Sequence, residues 1–377
     1  MIPTAQTASL VFFNICLLII MFALMKKALR PPYSVTSINR KITIFLMFIF
    51  VLFSFWGADW FGYLSSYLKI IENENTNLEK IYYWIIQELS PNYIVFRIII
   101  WGSSLVIFIH TIKRLSISYN LAIFIFSTTY LIWFSYARVT FAMTLAYYGL
   151  SLLYKPYKSR ILSFIVGVFF IYIAFHFHKS AIFAIAISLL VILSSKYESK
   201  FLLVSLIIYP IIVIITQYYL GNFMMLEFYE EDGVLDANFA SGQRYLDADE
   251  TKHGLGYILQ SIFERTPYYI LAYISFKYIR SRHYLQCPKD IKPFIRMLYF
   301  IVYIATIFSF DLGTNTHVVY VRFLRFAAIP AVVVMTYFLN IQFYPKIMRC
   351  TYWLAFMGTL YVVAYAMYNA YDANGLF

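Results

Sequence analysis

The sequence predicts an all-α, polytopic membrane protein of about 12 transmembrane helices. Three features carry that prediction. Hydrophobic residues make up 62% of the 377 and charged residues 13%, against about half and about a quarter in a typical soluble domain. Apolar runs approaching the roughly 20 residues that a membrane-crossing helix requires recur along the chain. The loops between them alternate between basic and acidic. The composition excludes disordered, collagen-like and disulfide-scaffold classes. The aromatic fraction of 21% is high, and no chemistry is drawn from it.

Taken in order, the candidate spans are about 8–25, 42–56, 93–110, 118–135, 139–154, 161–177, 180–195, 201–218, 266–279, 294–310, 326–344 and 351–368. Several fall short of a full crossing, the ninth most of all. These need thin bilayer, extension into the interface, or irregular backbone shielded by protein. The first run has no positive region before it and no small-residue cleavage site close behind, so it is read as a retained helix and not a signal peptide. No fixed-period repeat, low-complexity tract or soluble domain interrupts residues 1–377, which form a single membrane domain.

The loops set the orientation. One side carries 20 of the 30 basic residues, among them Lys26, Lys27, Arg30, Lys113, Arg114, Lys155, Arg282 and Arg349. Of the 18 acids, only Glu198 and Asp290 stand there. Basic loops face the cytoplasm, and an even number of spans then puts both termini outside, periplasmic or extracellular. The net charge of +12 is thus a topology signal, and no nucleic-acid partner is invoked. Cys16 lies in a span; Cys287 and Cys350 fall on the cytoplasmic side. No external disulfide and no metal-ligand spacing follows from them.

The longest segments outside the spans are external, about 57–92, 219–265 and 311–325, so the specific work is expected there. The first opens Gly57-Ala58-Asp59 and continues to Tyr63. Thr76 and Glu79 match a capping box for a helix to Leu89. That helix either lies on the outer leaflet as a wall for a lipid-linked substrate or packs on its neighbours. The second loop holds an acidic run from Glu227 to Asp236 that lacks the alternation of a calcium loop and reads as solvated. At its end Glu264-Arg265-Thr266-Pro267 sets a charge pair at the lip of the ninth span.

Basic residues at outer span ends are the sharpest signals. Arg138 sits between two apolar stretches with no room for a loop. Arg322 and Arg325, three apart, share a helix face. Lys179 follows His178 in another tight outer turn. A lone arginine at a span end commonly snorkels to the head groups. Basic residues are depleted outside, however, which favours function for Arg138 and the Arg322/Arg325 pair. For His178 alone a structural role is the default, and His176 faces elsewhere. Guanidinium forks bind phosphate bidentately and stay charged, which suits a lipid-linked pyrophosphate at the outer leaflet. A histidine can take a proton from an acceptor hydroxyl near neutral pH.

The ordered set Gly57-Ala58-Asp59 with Tyr63, Arg138-Val139-Thr140-Phe141-Ala142, the basic stretch Lys155–Arg160, His178-Lys179-Ser180 and Tyr320-Val321-Arg322-Phe323-Leu324-Arg325 resembles the EpsG-like, O-antigen-polymerase (Wzy-type) family of bacterial polysaccharide polymerases. The resemblance runs over roughly residues 55–330; the loop 219–265 has no matching pattern. It implies transfer of a growing O-antigen, capsule or exopolysaccharide glycan from undecaprenyl pyrophosphate to a lipid-linked repeat unit, outside the bacterial inner membrane. It also implies a C-class glycosyltransferase-like bundle whose external loops form a cavity, with no cofactor or metal. On that analogy Arg138 and Arg322/Arg325 contact pyrophosphate, Arg265 joins the substrate-binding set, and His178 is the base. Asp59 and Tyr63 contact sugar or hold the loop; Asp59 serves equally as a helix cap or arginine partner. The implied partners are the lipid-linked oligosaccharide, membrane lipid and a chain-length regulator. A lipid-linked-oligosaccharide transporter is the first alternative, but repeated halves and midplane charges are missing. An O-antigen ligase or a membrane acyltransferase on the same scaffold is the second.

Overall fold

A computed structural model describes residues 4–31, 33–54, 60–74, 79–135, 137–178, 255–309 and 324–372, with Ala181 and Val191. Among these residues the regular structure is helical throughout. Helix α1 (Thr4–Met25) runs into a tight 3₁₀ turn, Lys26–Leu29. Helix α2 (Ser37–Leu52) starts where the Thr36 side chain accepts from the Asn39 N–H. Helix α3 (Trp60–Ile71) and helix α4 (Lys80–Leu89) follow. Helix α5 (Tyr93–Arg97), a π turn at Ile98–Gly102 and helix α6 (Ser103–Arg114) make one rod.

Helix α7 (Tyr119–Ile125) passes into a π turn, Phe126–Tyr130, and a 3₁₀ turn, Leu131–Ser135. Helix α8 (Ala137–Tyr154) and helix α9 (Arg160–Phe177) form a hairpin, α9 being capped by Ser159. Helices α10 (Leu255–Ile279), α11 (Lys292–Ser309), α12 (Ala328–Asn340) and α13 (Pro345–Asp372) complete the described chain.

The expected count of about 12 spans is not confirmed among the described residues. Four described helices are long and apolar enough to cross a membrane: Ser9–Leu29, Tyr93–Arg114, Arg160–Phe177 and Pro345–Ala364. Val139–Tyr154 and Ala328–Asn340 are shorter apolar helices. The reasons are local. Helix α2 has 16 residues. The fourth expected span changes helix type twice. Helix α10 is 25 residues long, absorbs the expected span 266–279, and carries Glu264, Arg265 and Lys277. Spans expected at 180–195 and 201–218 lie outside the described residues but for Ala181 and Val191. The membrane class itself stands. Helix α9 turns Ile161, 75% exposed, with Leu162, Phe164 and Phe169 outward, an arrangement that suits lipid and not water.

The stretch 57–92, expected to be external, holds two helices among its described residues where one was expected. Helix α3 buries Tyr63, Tyr67 and Ile70, an i, i+4, i+7 stripe. Helix α4 begins one residue after Glu79, whose side chain makes no capping bond; Thr76 lies outside the described residues. Helix α4 buries Tyr82 and Ile86, with Trp84 exposed. Tyr82 meets Phe177 edge-on at 5.5 Å, so this helix is packed on its neighbours.

The basic loops are knitted together at one end of the bundle. Asp290 accepts from the Ser116 N–H at 2.7 Å and pairs with Lys155 at 3.3 Å. Arg40 reaches Asn120, and the Tyr33 hydroxyl donates to the Leu339 carbonyl at 2.6 Å. Burial pushes the Tyr33 phenol up from its ordinary pKa. Cys287, at the same end, is buried and its thiol is likewise pushed up. The chain therefore alternates between a basic end and an opposite end, as the loop charges require.

A membrane-impermeant maleimide tests which end faces out, using variants without the three native cysteines. Glu72→Cys, exposed opposite the basic loops, reacts in intact cells. Arg282→Cys, exposed at the basic end, reacts only after lysis. The reverse pattern inverts the orientation.

Candidate functional site

The site is best built from the prolines and glycines that shape the end away from the basic loops. In an apolar bundle each backbone carbonyl needs a donor from the protein. Pro267 stands inside α10. It has no N–H, so the carbonyl one turn earlier, that of Phe263, loses its helical partner. Helix α13 comes close there because Gly358 has no side chain; a Cβ would lie 2.9 Å from the Phe263 oxygen. Pro330 has the same effect on the Phe326 carbonyl. Here the Tyr147 hydroxyl of α8 donates instead, at 2.5 Å. That bond ties α8 to the helical turn Leu324–Phe326, which carries Arg325.

Between α10, α13 and the π turn Phe126–Tyr130 lies a small cavity of about 20 Å³. Glu264, Tyr268, Tyr130, Thr129 and Thr359 give it polar walls. The Thr359 hydroxyl donates to the Thr129 carbonyl at 2.7 Å, satisfying an acceptor in the π segment. Tyr130 and Tyr268 stand edge-on at 5.8 Å. Both hydroxyls are buried without a hydrogen-bond partner among the described residues. Glu264 and Arg325 both lie within electrostatic reach of Tyr268. A carboxylate and two buried phenols thus line one cavity, with a guanidinium within electrostatic reach.

The α8–α9 hairpin positions the second group. Gly149 and Gly167 face each other so closely that a Cβ on Gly149 would lie 2.6 Å from the Gly167 oxygen. Toward the other end, Phe141 meets Phe177 at 4.3 Å between ring centroids. The two helices run antiparallel in fixed register. One turn beyond this ring pair, Arg138 on α8 is level with His178 at the end of α9. The His178 N–H donates to the Ala174 carbonyl at 3.0 Å, and its carbonyl accepts from Ala181 at 2.9 Å. Its backbone is extended, and its side chain is half-buried.

The predicted residues thus fall into distinct places. Arg138 and His178 share a level. Arg325 and Arg265 belong to the α10–α12 side, linked to α8 through Tyr147. Tyr147 lies two and a half turns inward from Arg138, roughly 13 Å of helix rise. Tyr63 is 9% exposed and edge-on to Trp101 at 5.9 Å, a packing that holds the loop. Asp59 and Arg322 lie outside the described residues.

Sequence reasoning passed over Arg97. Its guanidinium is buried and donates to the Val51 carbonyl at 2.7 Å, the Leu52 carbonyl at 3.1 Å and the Ser54 hydroxyl at 3.2 Å. It lies over the Trp101 ring at 4.5 Å. A cation therefore closes the negative end of α2. A lone charge in the apolar run of the third span was the signal. Glu264, Tyr268 and Tyr147 add to the site through tertiary contacts.

An all-helical membrane bundle with ionised groups gathered at one end defines the class of protein. A family model, that of the EpsG family, matches residues 37–377. The chain belongs to the EpsG family, a Wzy-like family of polysaccharide polymerases, and so has a polysaccharide-polymerase-type, glycosyltransferase-like role. No curated protein and no solved structure matches it.

Tyr147→Phe tests the proline argument. It leaves the buried Phe326 carbonyl without its donor and is expected to lower stability by about 1–3 kcal/mol in detergent unfolding. The loss should shrink in a Pro330→Ala background, where an N–H returns. An equal loss in both backgrounds contradicts the coupling.

Proposed function

We propose that the chain is a polysaccharide polymerase that moves a growing glycan from undecaprenyl pyrophosphate onto a lipid-linked repeat unit at the outer face of the bacterial inner membrane. The acceptor hydroxyl loses its proton to His178 while its oxygen bonds to the anomeric carbon. The bond from that carbon to the pyrophosphate oxygen breaks, and the electron pair leaves on the lipid pyrophosphate. Arg138, with Arg322, Arg325 and Arg265, neutralises the charge that develops there. Asp59 contacts the sugar or braces the loop. The step needs only side chains of this chain and the two lipid-linked substrates.

The observation that supports this reading most is the register of α8 and α9. It sets a guanidinium-bearing and an imidazole-bearing residue level at one end of the bundle, in a polysaccharide-polymerase family. Pyrophosphate recognition needs the first group, and hydroxyl deprotonation needs the second.

The test is glycan length in a deletion strain carrying variants of normal abundance. Arg138→Ala is expected to cut polymerisation by about 10²–10³-fold. His178→Ala is expected to cut it by about 10²–10⁴-fold. Single lipid-linked repeats should accumulate on the outer leaflet in both. Ladders of normal length in either variant remove that residue from the mechanism. Accumulation on the inner leaflet points instead to transport.

A further inference from the structure

A second cavity, of about 560 Å³, lies at the basic end between the 3₁₀ turn after α1 and the start of α13. Its size falls within the roughly 300–1,000 Å³ of small-molecule sites. Lys26, Lys27, Arg30 and Arg349 line it, with Tyr352 and Trp353 as aromatic walls. The two helices reach it antiparallel, since Phe22 of α1 stacks on Phe356 and tilts on Trp353 of α13. Residues far apart in sequence therefore present their cations to one hollow.

No carboxylate stands among the lining residues. Among the described residues none of the four cations makes an ion pair. Lys26 and Lys27 have some compensation at the carboxyl end of α1. Arg349 does not. It lies just inside the amino end of α13, whose first turn holds no acid, so the helix dipole adds positive potential to it. Four like charges and a helix amino end around an open volume form a positive site that favours an anion. The aromatic walls suit the interfacial depth of a bilayer. Trp353 and Met357, both exposed, continue an apolar strip along α13 away from the cavity.

We propose that this cavity binds the phosphate of an anionic phospholipid head group, with the acyl chains lying along the α1–α13 seam. The site sits at the opposite end from Arg138 and His178 and goes beyond the polymerase reading. Inner-leaflet anionic lipid is the ligand the position favours. Free phosphate shares the chemistry and is separated by the experiment.

The full-length protein, delipidated in neutral detergent, is mixed with phosphatidylglycerol or phosphatidylcholine, and retained lipid is counted by native mass spectrometry. The wild type should prefer phosphatidylglycerol by at least about tenfold, as several cations near a lipid phosphate require. The combined variant Lys26→Gln, Lys27→Gln, Arg30→Gln and Arg349→Gln should lose that preference, and Arg349→Gln alone should lose part of it. Lys113→Gln with Arg282→Gln, exposed cations of the same end outside the cavity, should keep it. These side chains are exposed, and an unchanged elution profile shows that the variants fold. Displacement of the lipid by millimolar inorganic phosphate assigns the cavity to free phosphate, and its failure assigns it to lipid; both outcomes support a phosphate site. Equal retention of the two lipids by the wild type, or an undiminished preference in the combined variant, overturns the proposal. Polymer length is not part of the readout, so the two proposals stand or fall separately.

Discussion

Backbone carbonyls buried in an apolar bundle must find donors inside the protein, and the rest of this structure depends on how that is met. Three interruptions or ends of helical hydrogen bonding are answered by particular side chains. Arg97 closes the end of α2. Thr359 reaches the π turn of the fourth span. Tyr147 takes the carbonyl that Pro330 releases. Each answer comes from a different helix, so the local irregularities are also the cross-links of the bundle.

The same cross-links gather the chemistry. Pro267 and Gly358 bring α10 and α13 into close contact around Glu264 and Tyr268. Tyr147 holds the turn bearing Arg325. The facing glycines of α8 and α9 fix the register that sets Arg138 level with His178. Ionised groups are costly in an apolar interior, and on the proposed function rigid backbone on several sides keeps them where the anionic lipid-linked substrate would offset that cost. The opposite end solves a different problem. There Asp290 holds two loops through Ser116 and Lys155, while the cations around the cavity by α1 and α13 stay without a carboxylate.

Much of the fold was legible in the sequence. Uniform apolar runs gave α8 and α9 to within two residues at each end and α1 to within four, because nothing in them competes with a helix. Ser159 caps α9 in the structure, its side chain accepting from the Leu162 N–H, a signal the sequence reading passed over. The stripe Tyr63, Tyr67, Ile70 was also present, but Gly57 and Gly62 nearby read as loop, and α3 went unseen. The change of helix type at Phe126 was marked locally only by Ser127, Thr128 and Thr129, which bond back to carbonyls one turn earlier, and the further bonds to it come from α13. For the site, lone basic residues at span ends were the signal the sequence offered; Arg97, a lone charge of the same kind, closes the end of α2 instead. What Pro267 and Pro330 do could not be read locally, since Gly358, which lets α13 approach the Phe263 carbonyl, and Tyr147, which donates to the Phe326 carbonyl, are distant in sequence. The basic loops were legible as topology; the cavity was not, because residues 26–30 and 349 meet only in the folded bundle.

The central claim is that the lipid pyrophosphate lies at the end of the bundle carrying Arg138, His178 and Arg325. A lipid-linked repeat bearing a diazirine on the isoprene next to the pyrophosphate, photolysed on the purified protein and mapped by peptide mass spectrometry, measures this directly. The account predicts adducts in the first turn of α8, the last turn of α9 and the segments around 264–268 and 324–326. Adducts confined to the basic end, around Lys26 and Arg349, would contradict it.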